Sequence, residues 1–169
     1  SDVYKRQALP IYQIPTYQYS IYITTEKDVN IPEDWEQVYL YKDWFITIGT
    51  DDKLCFSSFE FFEEHRDLII KSQCVFTGEV FDINDNPHSF YHSDEIQMPK
   101  GNYRFDVYGL KRKHPYSEID RENGNKNYAY LFAFRKVDND SNENLERCDN
   151  DTHIFSIEEY WEEVHNNER

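Results

Sequence analysis

Apolar and aromatic residues recur at every second position in three stretches of this chain. Tyr17, Tyr19, Ile21 and Ile23 alternate with Gln18, Ser20, Tyr22 and Thr24. Tyr103, Phe105 and Val107 alternate with Arg104, Asp106 and Tyr108. Tyr128, Tyr130, Phe132 and Phe134 alternate with Ala129, Leu131, Ala133 and Arg135. Successive strand side chains point to opposite faces, so a period of two marks a strand with one face towards a core. The 14 Tyr and 12 Phe agree with this, because aromatic residues fit a pleated, half-buried surface.

Turn signals divide the remainder into further short strands. Trp35 to Ile48 is dense in aromatic and β-branched residues and predicts one or two strands. Gly49-Thr50-Asp51-Asp52 is a turn, after which Leu54-Cys55-Phe56 begins another strand. Leu68-Ile69-Ile70 and Val75 to Ile83 read as strands, and Phe90-Tyr91 as a short one. Residues 59–65 fit helix or strand equally. Asn84-Asp85-Asn86-Pro87 is a strong turn. Met98-Pro99-Lys100-Gly101-Asn102 is the sharpest, its proline and glycine placed for a type I turn. Residues 111–127 are polar and predict a long loop.

One helix is clear. Ser156 and Glu159 have capping-box spacing, with Phe155 and Tyr160 placed as a hydrophobic staple. Ile157, Tyr160, Trp161 and Val164 fall on one helical face, and Glu158, Glu159, Glu162 and Glu163 fill much of the rest. The expected fold is mainly β, an antiparallel β-sandwich over residues 8–137, with a closed barrel as the alternative. An acidic linker follows at 138–155. The amphipathic helix, 156–169, packs its apolar face on or near the sandwich. Residues 1–7, Ser-Asp-Val-Tyr-Lys-Arg-Gln, read as a translated sequencing adapter of a metagenomic read, so the true start is expected to be missing.

The formal net charge is −15. Such a chain is repelled by nucleic acid and by anionic membrane, so its expected partners are basic proteins or cations. Solubility alone is the bland explanation. Ten of the 33 acidic residues lie between 138 and 163, and Glu158, Glu159, Glu162, Glu163, Asp149 and Asp151 are the candidate partner-binding residues. The short basic cluster Lys111-Arg112-Lys113 reads as a solvated loop.

Three cysteines, Cys55, Cys74 and Cys148, stand at no metal-ligand spacing, and an odd number leaves one thiol over even if two pair. Buried, inert thiols at Cys55 and Cys74 and a reducing, cytoplasmic location are the expectation. No apolar run of ~18 residues is present to span a membrane.

Residues of the kind that do chemistry do not fall into a working pattern. His88 and His92 would share a helical face, but they flank a proline turn and a short strand, so surface histidines are expected. Asp82, Asn84 and Asp85 resemble the start of a calcium loop, yet Pro87 stands where its glycine belongs, so an Asx-rich turn is expected. Glu63-Glu64 and Asp94-Glu95 are adjacent carboxylates of the kind chance supplies in an acidic chain. No phosphate-binding glycine loop or nucleophile elbow occurs. A non-catalytic protein without cofactor or metal is the expectation.

Several segments together resemble the competence protein J (Nin) family of nuclease inhibitors. They are Gln18-Tyr19-Ser20-Ile21 followed by Asp34-Trp35, then Asp52-Lys53-Leu54-Cys55-Phe56, and Pro99-Lys100-Gly101-Asn102-Tyr103, which leads through a loop to the strand Tyr128 to Phe134. Their order and spacing over residues 16–135 carry the resemblance. It implies a β-sandwich inhibitor that binds and blocks a nuclease, and related sandwich proteins serve as immunity proteins beside bacterial toxins. The 111–127 loop and everything from 138 onward depart from the family pattern. An aromatic-rich sandwich that binds carbohydrate or protein ligands is the alternative. A small hydrolase with scattered carboxylates is a third.

Overall fold

Tyr103, Phe105 and Val107 are buried while Arg104, Asp106 and Tyr108 between them are half-exposed, as their alternation predicts. They belong to one of seven strands in a computed structural model that describes residues 19–71, 73–82, 84–117, 126–138 and 153–168. The strands are β1 (Ser20–Thr24), β2 (Trp35–Ile48), β3 (Lys53–Ser57), β4 (Phe76–Phe81), β5 (Pro87–Gln97), β6 (Gly101–Arg112) and β7 (Tyr128–Val137). Two helices are described, α1 (Phe59–Ile70) and α2 (Ile157–Asn166). The protein is therefore mainly β, with two sheets and a C-terminal helix. Residues 1–7, expected to be adapter sequence, and residues 139–152 of the expected acidic linker fall outside the described residues, as does Cys148.

The chain forms two compact units, one of residues up to Ile46 together with those from Asn102 onward, the other Thr47–Gly101. The four-stranded sheet has the order β1-β7-β6-β2. β6 and β7 are antiparallel, with Phe105 opposite Phe134 and Val107 opposite Phe132. β1 runs parallel to β7, so this sheet is mixed where antiparallel pairing alone was expected. Parallel neighbours need a long crossover, and here the chain from Thr25 to Asn127 separates them.

Both faces of β7 are covered. Ala129 through Phe134 are all buried, so the alternation in residue type does not become an alternation in exposure. Tyr130, Phe132 and Phe134 share one face with Phe105. On the other face Leu110, Ala129, Leu131 and Ala133 pack with Trp35, joined by Tyr22, Val29, Ile31 and Tyr108. Tyr22, which the sequence places on the less buried side of its strand, packs against this core, and its hydroxyl accepts a bond from Trp35 Nε1 at 3.0 Å. Ile21, from the opposite set, is exposed.

β2 is one strand of 14 residues with a change of phase inside it. Its buried residues pass from Tyr39 to Trp44, Ile46 and Ile48, from odd to even numbers. Asp43 between them has φ 66°, a conformation uncommon outside glycine. The bulge residue is held on every side. Asp106 Oδ1 accepts from the Asp43 N–H at 3.0 Å, Arg104 donates to the Asp43 carbonyl at 3.0 Å, and Arg135 pairs with both carboxylates. A bulge inserts one extra residue, which keeps Trp44 on the face that Tyr39 occupies.

Gly109 makes room for Tyr39. A Cβ there would stand 2.5 Å from the Tyr39 ring, and that ring is itself buried. Gly109→Ala is expected to destabilise the protein by about 1–3 kcal/mol through overpacking. Urea unfolding of Gly109→Ala, Tyr39→Leu and the double variant checks this. The clash predicts that the two changes together cost less than their sum, and simple additivity would show that the ring does not occupy that space.

The Thr47–Gly101 unit holds the sheet β3-β5-β4, antiparallel throughout. β5 is far longer than the short strand expected around Phe90-Tyr91. α1 resolves the ambiguity at 59–65 in favour of helix and also takes in Leu68-Ile69-Ile70, which sequence reads as a strand. β-branched residues disfavour helix only slightly, so helix resumes through them after a kink at His65. A disulfide joins Cys55 of β3 to Cys74, at a sequence separation of 19 that takes in all of α1, with Cα atoms 5.9 Å apart. This corrects the expectation of inert thiols and removes the cysteine argument for a reducing location. No described helix is long and apolar enough to cross a membrane.

Candidate partner-binding surfaces

α2 begins at a good cap. The Ser156 hydroxyl oxygen accepts the Glu159 N–H at 3.3 Å, as the capping-box spacing predicts. The segment leading into the cap is the true anchor. Phe155 is buried against Tyr41 and Trp44, with ring centroids at 5.3 and 5.9 Å. Its carbonyl accepts two buried bonds, from Tyr39 at 2.7 Å and Tyr130 at 2.8 Å, and the Ile154 carbonyl accepts one from Tyr41 at 2.8 Å. Burial pushes the Tyr39 and Tyr130 hydroxyls far above the ordinary phenol range, and Tyr41 up to about 12. All three therefore remain neutral donors at physiological pH.

Only the start of the helix is seated. Ile157 is buried, and Tyr160 and Trp161 are half-buried, with Tyr160 set edge-on to Tyr39. Val164 is 40% exposed, so the fourth member of the expected apolar face lies largely in water. Trp161 is covered instead by Lys111, whose Nζ lies 4.3 Å from the ring and also pairs with Glu36. The Lys111-Arg112-Lys113 cluster is thus not simply solvated. Lys111 and Arg112 end β6, and Arg112 stacks between Trp35 and Tyr116.

This seating fixes which glutamates face water. Glu159, Glu162 and Glu163 are exposed at positions i, i+3 and i+4, and Glu158 is half-buried. None of the four pairs with a cation among the described residues. Asp149 and Asp151, the other two candidate residues, lie outside the described residues.

A second acidic stripe stands on α1, where the sequence pattern had not settled on a helix. Ser58 caps it, its hydroxyl accepting the Phe61 N–H at 3.3 Å. Phe61 points inward, stacked between His65 at 4.1 Å and His92 at 5.1 Å, with Phe76 at 4.9 Å. The outward positions are Glu60, Glu63, Glu64 and Asp67, all exposed and unpaired with cations among the described residues. The spacing i, i+3 and i+4 puts Glu60, Glu63 and Glu64 on one face of the first segment, and Asp67 follows the kink at His65, whose φ of −117° and ψ of 20° are not helical. Like charges at i, i+4 destabilise a helix by about 0.2–0.5 kcal/mol per pair, so the stripe is a standing electrostatic strain. Glu63-Glu64 belongs to this face.

The remaining singled-out residues serve local structure. Asp82 accepts bonds from the backbone N–H groups of Asn84 and Asn86 at 2.8 and 2.9 Å and meets His88 Nε2 at 3.1 Å. The Asn86 N–H and His88 are the leading causes that hold its carboxyl well below the usual range. This is the Asx turn expected there, closing the β4–β5 hairpin. His92 stands apart from that turn, in the aromatic stack under α1. In the Asp94-Glu95 pair, Glu95 binds Lys53 at 3.1 Å and Asp94 accepts the Glu95 N–H.

Comparison of the chain with protein-family models, with curated proteins and with solved structures found no match.

Proposed function

We propose that this protein is a non-catalytic inhibitor of a basic partner, a nuclease or bacterial toxin, in the manner of an immunity protein. The observation that carries this reading is the pair of exposed acidic helix faces: Glu159, Glu162 and Glu163 on α2, and Glu60, Glu63, Glu64 and Asp67 on α1. A nuclease must present a basic cleft to phosphate. A helix bearing unpaired carboxylates can occupy such a cleft and steer the encounter through long-range attraction. Like charges kept together on one helix face lower its stability, and a cationic partner relieves that repulsion on binding. The resemblance to the competence protein J family favours the same reading.

Phe81 and Tyr91 bear on the alternative, a carbohydrate-binding module. Each is 63% exposed, and they lie on the same face of the β4–β5 hairpin. Tyr91 is opposite Thr77, four residues from Phe81, a separation of about 13 Å along the strand. Two rings so spaced do not form a continuous platform for a sugar chain, which favours the inhibitor.

The test is association with a cationic nuclease at two ionic strengths, together with nuclease activity. Glu158→Gln/Glu159→Gln/Glu162→Gln/Glu163→Gln and Glu60→Gln/Glu63→Gln/Glu64→Gln/Asp67→Asn are compared with the unaltered protein. At least one set is expected to slow association by about tenfold at low salt and to flatten the salt dependence. Unfolding free energy should fall by no more than about 0.5 kcal/mol in the α2 set and rise by about 0.2–0.5 kcal/mol in the α1 set, where i, i+4 repulsion is relieved. Unchanged rates and salt slopes in both sets would remove the acidic faces from the binding site.

A further inference from the structure

We infer that the Cys55–Cys74 pair, once reduced, forms with Glu95 a binding site for a zinc ion. Cys55 and Glu95 stand directly opposite each other in the β3–β5 pairing, so the sheet register sets their side chains together. Cys74 reaches the same point from the segment after α1. The two sulfurs and a Glu95 carboxylate oxygen lie within 4.8 Å of one another. A tetrahedral zinc with bonds of about 2.0–2.3 Å needs ligand atoms about 3.5–3.8 Å apart. Small side-chain rotations bring these three groups to that spacing once the sulfur–sulfur bond is broken.

The donor set suits this metal. Two thiolates select a borderline or soft ion over calcium or magnesium, and a carboxylate completes a three-ligand zinc site with a fourth position for water. Cys74 is buried, while Cys55 and Glu95 are half-exposed, so the site has both a fixed wall and an open side. Charge balances as well. Three anionic ligands exceed the zinc charge by one, and Lys53, whose Nζ lies 3.1 Å from the Glu95 carboxylate, supplies the compensating cation.

The conversion is stoichiometric. The disulfide takes two electrons and two protons from two molecules of a low-molecular-weight thiol, which leave as their own disulfide. Zinc then displaces the two cysteine thiol protons to solvent and accepts both thiolates and one carboxylate oxygen. The loop around α1 is thereby closed under oxidising conditions by a covalent bond and under reducing conditions by a metal.

The experiment uses the full chain carrying Cys148→Ser, so that only two cysteines remain. Reduced protein is titrated with zinc against a chromophoric chelator, and with cobalt as a spectroscopic substitute. One equivalent should bind, with a thiolate-to-cobalt charge-transfer band of two-thiolate intensity, and zinc should raise the melting temperature of the reduced protein. Oxidised protein should bind at least a hundredfold more weakly. Glu95→Gln should weaken zinc binding at least tenfold, and the melting temperature of its oxidised form measures separately the loss of the Lys53 pair. If cysteine variants fail to fold, reduced protein alkylated at both sulfurs provides the metal-free control. Absence of a stoichiometric site in the reduced protein would overturn the inference. So would an affinity that Glu95→Gln leaves unchanged.

Discussion

Replacing Phe155 by alanine is expected to cost about 3–5 kcal/mol of stability, the range for removing a buried phenylalanine. The side chain is 2% exposed and is bordered by Tyr41, Trp44 and His153. Its loss opens a cavity under the lead-in to α2 and loosens the carbonyl that two buried tyrosines share. Those hydroxyls then lack a fixed acceptor in a site that has little water to replace it. Urea unfolding measures the energy, and circular dichroism reports whether α2 survives. Val164→Ala is the comparison. Both residues look apolar and helix-associated in sequence, but Val164 is 40% exposed, so its truncation should change stability by less than about 0.5 kcal/mol. Similar losses from the two substitutions would mean that the helix is held along its length and not at its entry.

Removing the disulfide is expected to cost about 3 kcal/mol under oxidising conditions. The bond closes a loop with a sequence separation of 19. In the chain-entropy account, a closed loop of about 20 residues removes roughly 3 kcal/mol of freedom from the unfolded chain at room temperature. Cys55→Ser and Cys74→Ser should each show the whole loss, because either one opens the loop, and the double variant should show no more. Unfolding is compared in the Cys148→Ser background, which prevents exchange with the third cysteine. A double variant that loses twice as much as either single one would attribute the effect to packing of the individual side chains. Thiol titration before and after reduction counts the bond directly.

Several features of the fold were legible because short-range physics decides them. The Tyr103–Val107 alternation states its own conformation, since a period of two has one structural meaning. Ser156 and Glu159 mark the helix start because an orphan N–H must find an acceptor within a turn. The Asp82 turn was readable for the same reason. By contrast, the Phe59–His65 run satisfies both periods over so short a length, and only the Ser58 cap together with the packing of Phe61 against His65, His92 and Phe76 decides for helix. The acidic stripe of Glu60, Glu63 and Glu64 was hidden with it, because carboxylates define a face only once the period is known.

What the sequence by itself determined is therefore local: extended strands, a capped C-terminal helix, a strongly acidic chain. The tertiary structure decided everything that depends on which distant segments meet. Trp35, Val29 and Ile31 pack on one face of β7 and the Phe155 segment meets Tyr130 on the other, which cancels the exposure that its alternation implied. The change of phase at Asp43 relies on Arg104, Asp106 and Arg135 from two other strands. Three cysteines allow three pairings, and only the approach of β3 to the end of α1 selects one. Such contacts join residues tens of positions apart, and their energies lie in burial and shape that no neighbouring residue along the chain records.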